Sequence, residues 1–244
     1  MNSFLIKNIG DRSISVYFEN IISPEINLNI HEIVERINKD KKSWLVDVVP
    51  TYNSFSVVFD INLTKSQEVK NYISEVLISK KNQEFVNENQ TIINIPVKYG
   101  GEEGPDLEDV ANYCNLSSDE IVKIHSSTLY LVYMTGFSTG FPYLGELDKR
   151  IHCPRLKKPR TRVSSGSVGL AGSQTGIYSI DSPGGWRIIG KTPMKLFDLK
   201  KKNPFPIIPG MKVKFFSVDL KEYTNIEKRI IEEKDFLGFE INND

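Results

Sequence analysis

The sequence predicts an α+β protein in which a small α/β domain is followed by a closed β-barrel. Three observations predict it. Before residue 80, short β-prone runs alternate with two amphipathic helical patterns in the order ββαββα. That order fits a small sheet covered on one side by two helices, an α/β sandwich. A polar stretch from Lys80 to Gln90 then interrupts the hydrophobic patterning. From Leu129 onward, short β-prone runs recur between glycine and proline turns, as in a barrel. The expected domains are 1–88 and 89–244.

In the first domain, Phe4 to Ile9 and Ser13 to Phe18 read as strands joined by a turn at Gly10-Asp11. Ser23 is placed to cap a helix, with Pro24 at its first position. Ile26, Ile30, Ile33, Val34 and Ile37 follow at helical spacing. Trp44 to Val49 and Phe55 to Phe59 are two further strands. Thr64 is the expected cap of a second helix carrying Val69, Tyr72, Ile73, Val76 and Leu77 on one face.

In the second domain, Thr91 to Val97 is a strand, and Pro105-Asp106 opens a short helix. Ser117 with Glu120 is a capping-box pattern for another helix, ending at His125. The barrel strands expected are Leu129 to Met134, Val163 to Leu170, Gly176 to Ile180, Trp186 to Ile189, Met194 to Phe197 and Met211 to Val218. The tail after Tyr223 is read as a last strand or helix.

Composition narrows the function classes. The 244 residues are 39% hydrophobic and 25% charged, with a formal net charge of zero. Such a balance disfavours nucleic-acid and membrane-surface partners, which select a surplus of positive charge. Cys114 and Cys153 are too few for a disulfide scaffold and lack metal-site partners at useful spacing, so no metal site is expected. No apolar run reaches bilayer length, and Met1 to Lys7 lacks a signal-peptide pattern. The cytoplasm is the expected compartment.

Four segments could carry chemistry. Gly136 to Gly145 mixes glycine with aromatics, so Phe141 and Tyr143 could wall a pocket or fill the core. Lys149 to Arg162 holds seven cations and no acid. Arg160 and Arg162 alternate across Thr161, so an extended chain puts both forks on one face, suited to a carboxylate or phosphate. Ser164 to Gly176 is rich in small residues whose amides could form an anion nest. Ser167, Gln174 and Thr175 lie within it, and Gln174 is the expected ligand contact; tight β-turns are the other reading. Asp181 to Gly190 places Trp186 after a Pro-Gly-Gly turn, as a core residue or a pocket wall.

His125 is a candidate proton shuttle or a packed side chain. A His152–Cys153 dyad is discounted, because neighbours in an extended chain point to opposite faces. Arg160, Arg162 and Gln174 are expected to face one cleft with His125 nearby, and with peptide amides to hold an anion.

Several motifs occur together and in order: Tyr133-Met134-Thr135-Gly136-Phe137, Gly140-Phe141-Pro142-Tyr143-Leu144-Gly145, Pro159-Arg160-Thr161-Arg162-Val163, Gly166-Ser167-Val168-Gly169, Gln174-Thr175-Gly176 and Ser182-Pro183-Gly184-Gly185-Trp186. With Tyr99-Gly100-Gly101 and Gly104-Pro105-Asp106-Leu107, the chain closely resembles the KipI / PxpB family, also labelled allophanate hydrolase subunit 1. The resemblance runs nearly the whole length. One departure is Thr139, which stands where the family loop has proline.

The resemblance implies a cyclophilin-like barrel and a role as the PxpB component of an ATP-dependent 5-oxoprolinase. With PxpA-like and PxpC-like subunits, such a complex opens the lactam of 5-oxo-L-proline to L-glutamate. It implies ATP and Mg2+ in the complex, with no site for either assigned to this chain. Arg160, Arg162 and the Gly166 to Gly176 segment offer the donors such a reaction needs; the candidates are His125, Arg160, Arg162 and Gln174 for catalysis, and Phe141, Tyr143, Ser167, Thr175 and Trp186 for substrate. The alternatives are a KipI-like inhibitor of sensor histidine kinase autophosphorylation and a component of urea or allophanate metabolism.

Overall fold

A computed structural model describes residues 4–79, 91–201, 203–232 and 240–243. Two compact units divide the chain, Met1–Glu88 and Asn89–Asp244. The polar stretch expected to join them lies outside the described residues.

The first unit is a four-stranded antiparallel sheet in the order β1-β2-β4-β3, from β1 (Leu5–Asn8), β2 (Ser13–Tyr17), β3 (Leu45–Pro50) and β4 (Ser54–Phe59). Helices α1 (Pro24–Lys39) and α2 (Ser66–Ile78) cover one face. Ile14 pairs with Val57, and Val57 with Val48, so one pleat face presents all three to the helices. Ser23 caps α1 as predicted, its Oγ accepting from the Ile26 amide at 3.5 Å. Thr64 does not cap α2. Lys65 holds the cap position, and the Thr64 hydroxyl donates to Glu68 at 2.8 Å instead.

The second unit is a closed barrel of seven strands: β5 (Thr91–Tyr99), β6 (Leu129–Thr135), β7 (Pro142–Leu144), β9 (Ser167–Ala171), β10 (Gln174–Ile177), β12 (Arg187–Lys191) and β13 (Lys212–Ser217). Their order is β12-β9-β10-β7-β6-β13-β5, and β12 pairs with β5 to close it. Only the β13–β5 pairing is parallel among them. Ile93, Ile95 and Val97 alternate into the interior, with Val168 and Leu170 from β9 and Val213 and Phe215 from β13. Each such side chain contributes about 1.5–3 kcal/mol by leaving water. Helices α3 (Leu107–Cys114) and α4 (Ser118–Ser127) pack on the barrel, and the Ser117/Glu120 capping box is present. The tail forms both elements considered for it, α5 (Leu220–Glu232) and β14 (Glu240–Asn243), the latter beside the first half of β5.

Two strand expectations need correction. Val163 to Leu170 is not one strand. Gly166 has φ +85°, which breaks the run into β8 (Arg160–Val163) and β9. β8 pairs with β11 (Ser182–Gly184) in a separate ribbon. Met194 to Phe197 forms no strand. Met194 and Leu196 are buried in the barrel core while Lys195 is exposed, so the alternation comes from burial without a ladder.

Candidate functional site

The site is built where the chain leaves β5. Gly100 and Gly101 both have positive φ, at 67° and 60°, so the backbone turns sharply after Tyr99. The loop then lies on β12. The Gly100 amide donates to the Ile189 carbonyl at 3.0 Å, and the Asp106 amide to the Ile188 carbonyl at 2.9 Å. Gly104 permits this approach, because a Cβ there would stand 2.1 Å from the Ile189 oxygen.

This loop delivers the Asp106 carboxylate. It accepts from Arg160 Nη1 at 2.9 Å and Nη2 at 2.6 Å, and from the Ile188 amide at 2.6 Å. Hydrogen bonding by Asp106 raises the Arg160 pKa further, so the guanidinium is a permanent cation. Arg162, two residues along β8, donates from Nε and Nη2 to Asp181 at 3.0 and 2.6 Å. The second Asp181 oxygen accepts from the Ser165 amide at 2.8 Å. The Ser165 amide, then Arg162, holds the Asp181 carboxyl below its usual range.

Arg160 and Arg162 line one cleft of about 360 Å3, together with Lys191, Ser164 and Ser167. Glu102 and Glu103 line it as well. Its apolar lining includes Val163 and Ile188, which also belong to a buried cluster with Phe141, Tyr178 and Trp186. Phe141 meets Trp186 edge-on at 5.3 Å and Tyr178 edge-on at 5.2 Å. Phe141 and Trp186 are therefore packing behind the cleft, not its walls; half-buried Tyr143 leans on the same cluster.

The expected convergence is thus partial. Arg160, Arg162 and Ser167 come together, but both guanidinium groups are already engaged by carboxylates. Gln174 does not join them. It pairs with Ala171 at the far end of β9 from Ser167, about 13 Å away at 3.3 Å per residue.

His125 does not face the cleft either. It is fully buried in the barrel, stacked on Phe215 at 4.6 Å. Thr175 Oγ1 donates to the Gly169 carbonyl at 3.1 Å, so it accepts from His125 Nε2–H at 2.9 Å. Nδ1 is left to accept from the Tyr99 hydroxyl at 2.8 Å. Burial pushes the His125 pKa down to about 3, which fixes the neutral ring. His125 and Thr175 form a structural relay between strands, and the proton-shuttle and substrate-contact readings of them are corrected accordingly.

Sequence reasoning missed Asp106, Asp181 and Lys191. Asp106 has a visible signal in Gly104-Pro105-Asp106-Leu107, a helix start and a family motif that does not by itself point to Arg160. Asp181 opens the Pro-Gly-Gly segment but meets Arg162 19 residues away, and Lys191 is placed by strand register. Among the described residues, no three His, Cys, Asp or Glu side chains gather to hold a metal. No helix among them is long and apolar enough to cross a membrane.

Residues 4–207 match the family model described as carboxyltransferase domain, subdomain C and D. The chain is 37% identical to the B-subunit of 5-oxoprolinase from Bacillus subtilis, over 90% of this chain and 95% of that one. It is 39% identical to the protein of the same name in Escherichia coli O157:H7, over 70% and 77%. Of solved structures, PH0987 from Pyrococcus horikoshii is 45% identical, with a TM-score of 0.53 over 90% of this chain and 100% of that chain. TTHA0988 is 31% identical with a TM-score of 0.75 over 85% of this chain; the chain spans 40% of the length of that protein. The Kluyveromyces lactis urea amidolyase aligns over the whole chain with a TM-score of 0.82. At 17% identity, over 16% of its own length, that likeness shows the fold.

Proposed function

The chain belongs to the KipI / PxpB family, carrying carboxyltransferase subdomains C and D, and from that membership we propose that it is the PxpB component of an ATP-dependent 5-oxoprolinase. Its complex hydrolyses 5-oxo-L-proline to L-glutamate, with PxpA-like and PxpC-like subunits as partners. The observation that carries this reading is the span of the Bacillus subtilis match, which takes in 95% of that protein. The urea amidolyases match over only 13–15% of their length, as a module shared with a larger enzyme would.

A lactam is a poor electrophile. Transfer of a phosphoryl group from ATP to the lactam oxygen creates a leaving group. Water then adds to the ring carbon, the ring C–N bond breaks, and a second water releases phosphate and leaves the carboxylate. Every step after transfer carries negative charge near the reacting carbon, and fixed cations lower its energy. Arg160 supplies a cation whose position Asp106 holds, and Arg162 and Lys191 add two more on the same cleft. Ile188 and Val163 keep one wall apolar, which strengthens those interactions.

The test is reconstitution. Purified PxpA-like and PxpC-like subunits are mixed with this chain, and glutamate release is followed with and without ATP. Release is expected only when this chain and ATP are both present. A rate unchanged by leaving the chain out contradicts the reading.

A further inference from the structure

We propose that the cleft binds a phosphoryl group, held by Lys191, Ser164 and Ser167, with Lys98 beside Lys191 on the next strand. The register of three adjacent strands carries the proposal. Ser167 on β9 stands opposite Lys191 on β12, and Lys191 stands opposite Lys98 on β5. Their neighbours Val168, Val97 and Tyr99 fill the barrel interior, so all three side chains belong to its outer face.

Two like charges directly opposite each other in a sheet repel. Neither amine forms an ion pair within 4 Å among the described residues, and Lys191 meets the Asp181 carboxylate, itself bound by Arg162, only at longer range. The Lys98 amine donates to the Tyr99 carbonyl at 2.9 Å, which satisfies one proton and leaves the charge unbalanced. An anion between the two amines removes that repulsion.

The chemistry of the donors selects the anion. The planar forks of Arg160 and Arg162 are occupied by Asp106 and Asp181. Lysine ammonium groups and serine hydroxyls remain, and these suit a tetrahedral oxyanion better than a planar carboxylate. Ser164 and Ser167 stand on either side of the Ser165-Gly166 turn and both line the cleft, while the Ser165 hydroxyl is turned away to the Ser179 carbonyl. Gly166 is essential to this shape. A Cβ there would stand 2.3 Å from the Thr192 oxygen and 3.5 Å from Lys191 Cγ, so the turn packs directly against the lysine stem. Glu102 and Glu103 on the same cleft oppose an extended polyanion, which limits the site to one phosphoryl group.

The role of this group rests on the ATP-dependent reading above, in which phosphate is carried by ATP, by an activated lactam or as the free product. The binding itself does not. The experiment is calorimetric titration of the whole chain at constant ionic strength with inorganic phosphate, and separately with acetate. Phosphate is expected to bind and acetate not to. Lys191→Met should weaken phosphate binding at least about tenfold, the loss of one charge-assisted contact. Equal binding of phosphate by Lys191→Met and the wild type, equal binding of acetate, or no phosphate binding at all overturns the site.

Should Lys191→Met fail to fold, Ser164→Ala makes the same comparison, with a few-fold weakening expected and an unchanged affinity counting against the site. ATP added as competitor identifies the source. Lys191-dependent competition assigns the terminal phosphoryl group of the nucleotide, and binding without competition assigns free or substrate-borne phosphate. A chain that binds phosphate in an inactive reconstituted complex overturns the functional reading alone. An active complex in which this chain binds no phosphate overturns this site alone.

Discussion

Asp106 and Arg160 are 54 residues apart in sequence and meet in two parallel hydrogen bonds of 2.9 and 2.6 Å. The carboxylate side chain is 5% exposed and the guanidinium 33%. A third bond, from the Ile188 amide, fixes the carboxylate from behind. Removing one partner of such a pair strands the other. Arg160→Ala should cost about 3 kcal/mol, because it leaves Asp106 buried without its ion-pair partner. That leaves the chain folded at 25 °C, since domains carry about 5–15 kcal/mol. Asp106→Asn in the Arg160→Ala background should recover part of the loss. Urea unfolding of the two single variants and the double variant measures the coupling; strict additivity contradicts it.

Arg162 and Asp181 form a pair of the other kind. Their side chains are 76% and 44% exposed. Exposed ion pairs contribute about 0–1 kcal/mol, so Arg162→Ala should leave the urea midpoint nearly unchanged. A fall in complex activity in that variant would then report on the cleft and not on folding.

His125 gives the fold a pH dependence. Its pKa is about 3 in the folded protein and near 6.5 once unfolded. Between those values the unfolded chain binds a proton that the folded chain excludes. Stability from this group is therefore complete above pH 6.5 and is lost as pH falls toward 3, by about 1.4 kcal/mol per pH unit. Thermal midpoints from pH 7 to pH 4 should fall less steeply in His125→Gln than in the wild type. Parallel slopes would show that the ring does not titrate as described.

Gly104 is a packing requirement. The Cβ of Gly104→Ala would meet the Ile189 carbonyl at 2.1 Å. The loop has to lift from β12, which loosens the Asp106 bond to the Ile188 amide. A loss of about 1–3 kcal/mol is expected from the clash, together with reduced activity of the complex. Unaltered stability would mean the loop is not pressed onto the strand.

The sequence disclosed what depends on near neighbours. Ser23 and Pro24 marked the start of α1, and Ser117 with Glu120 marked α4, because caps are made within one helical turn. Short β-prone runs recurring between glycine and proline turns after Leu129 disclosed the barrel. What stayed hidden depends on distant partners. Met194 and Leu196 alternate like a strand yet only line the core. His125 reads from the sequence as a shuttle or a packed side chain, and only Tyr99 and Thr175, 26 and 50 residues away, decide for packing. Within the site, Arg160 and Arg162 were visible as a charged pair on one strand. Asp106 and Lys191 were not, since a loop and a strand register bring them there.

The most direct measurement is the ATP-dependent rate of glutamate release by the reconstituted complex carrying Arg160→Ala in this chain. Circular dichroism on the same preparation establishes that the variant is folded. The rate should fall by at least about a hundredfold, on the order of the loss of one preorganised charge that stabilises the transition state. A folded variant with the wild-type rate would contradict a role for this cleft in the reaction.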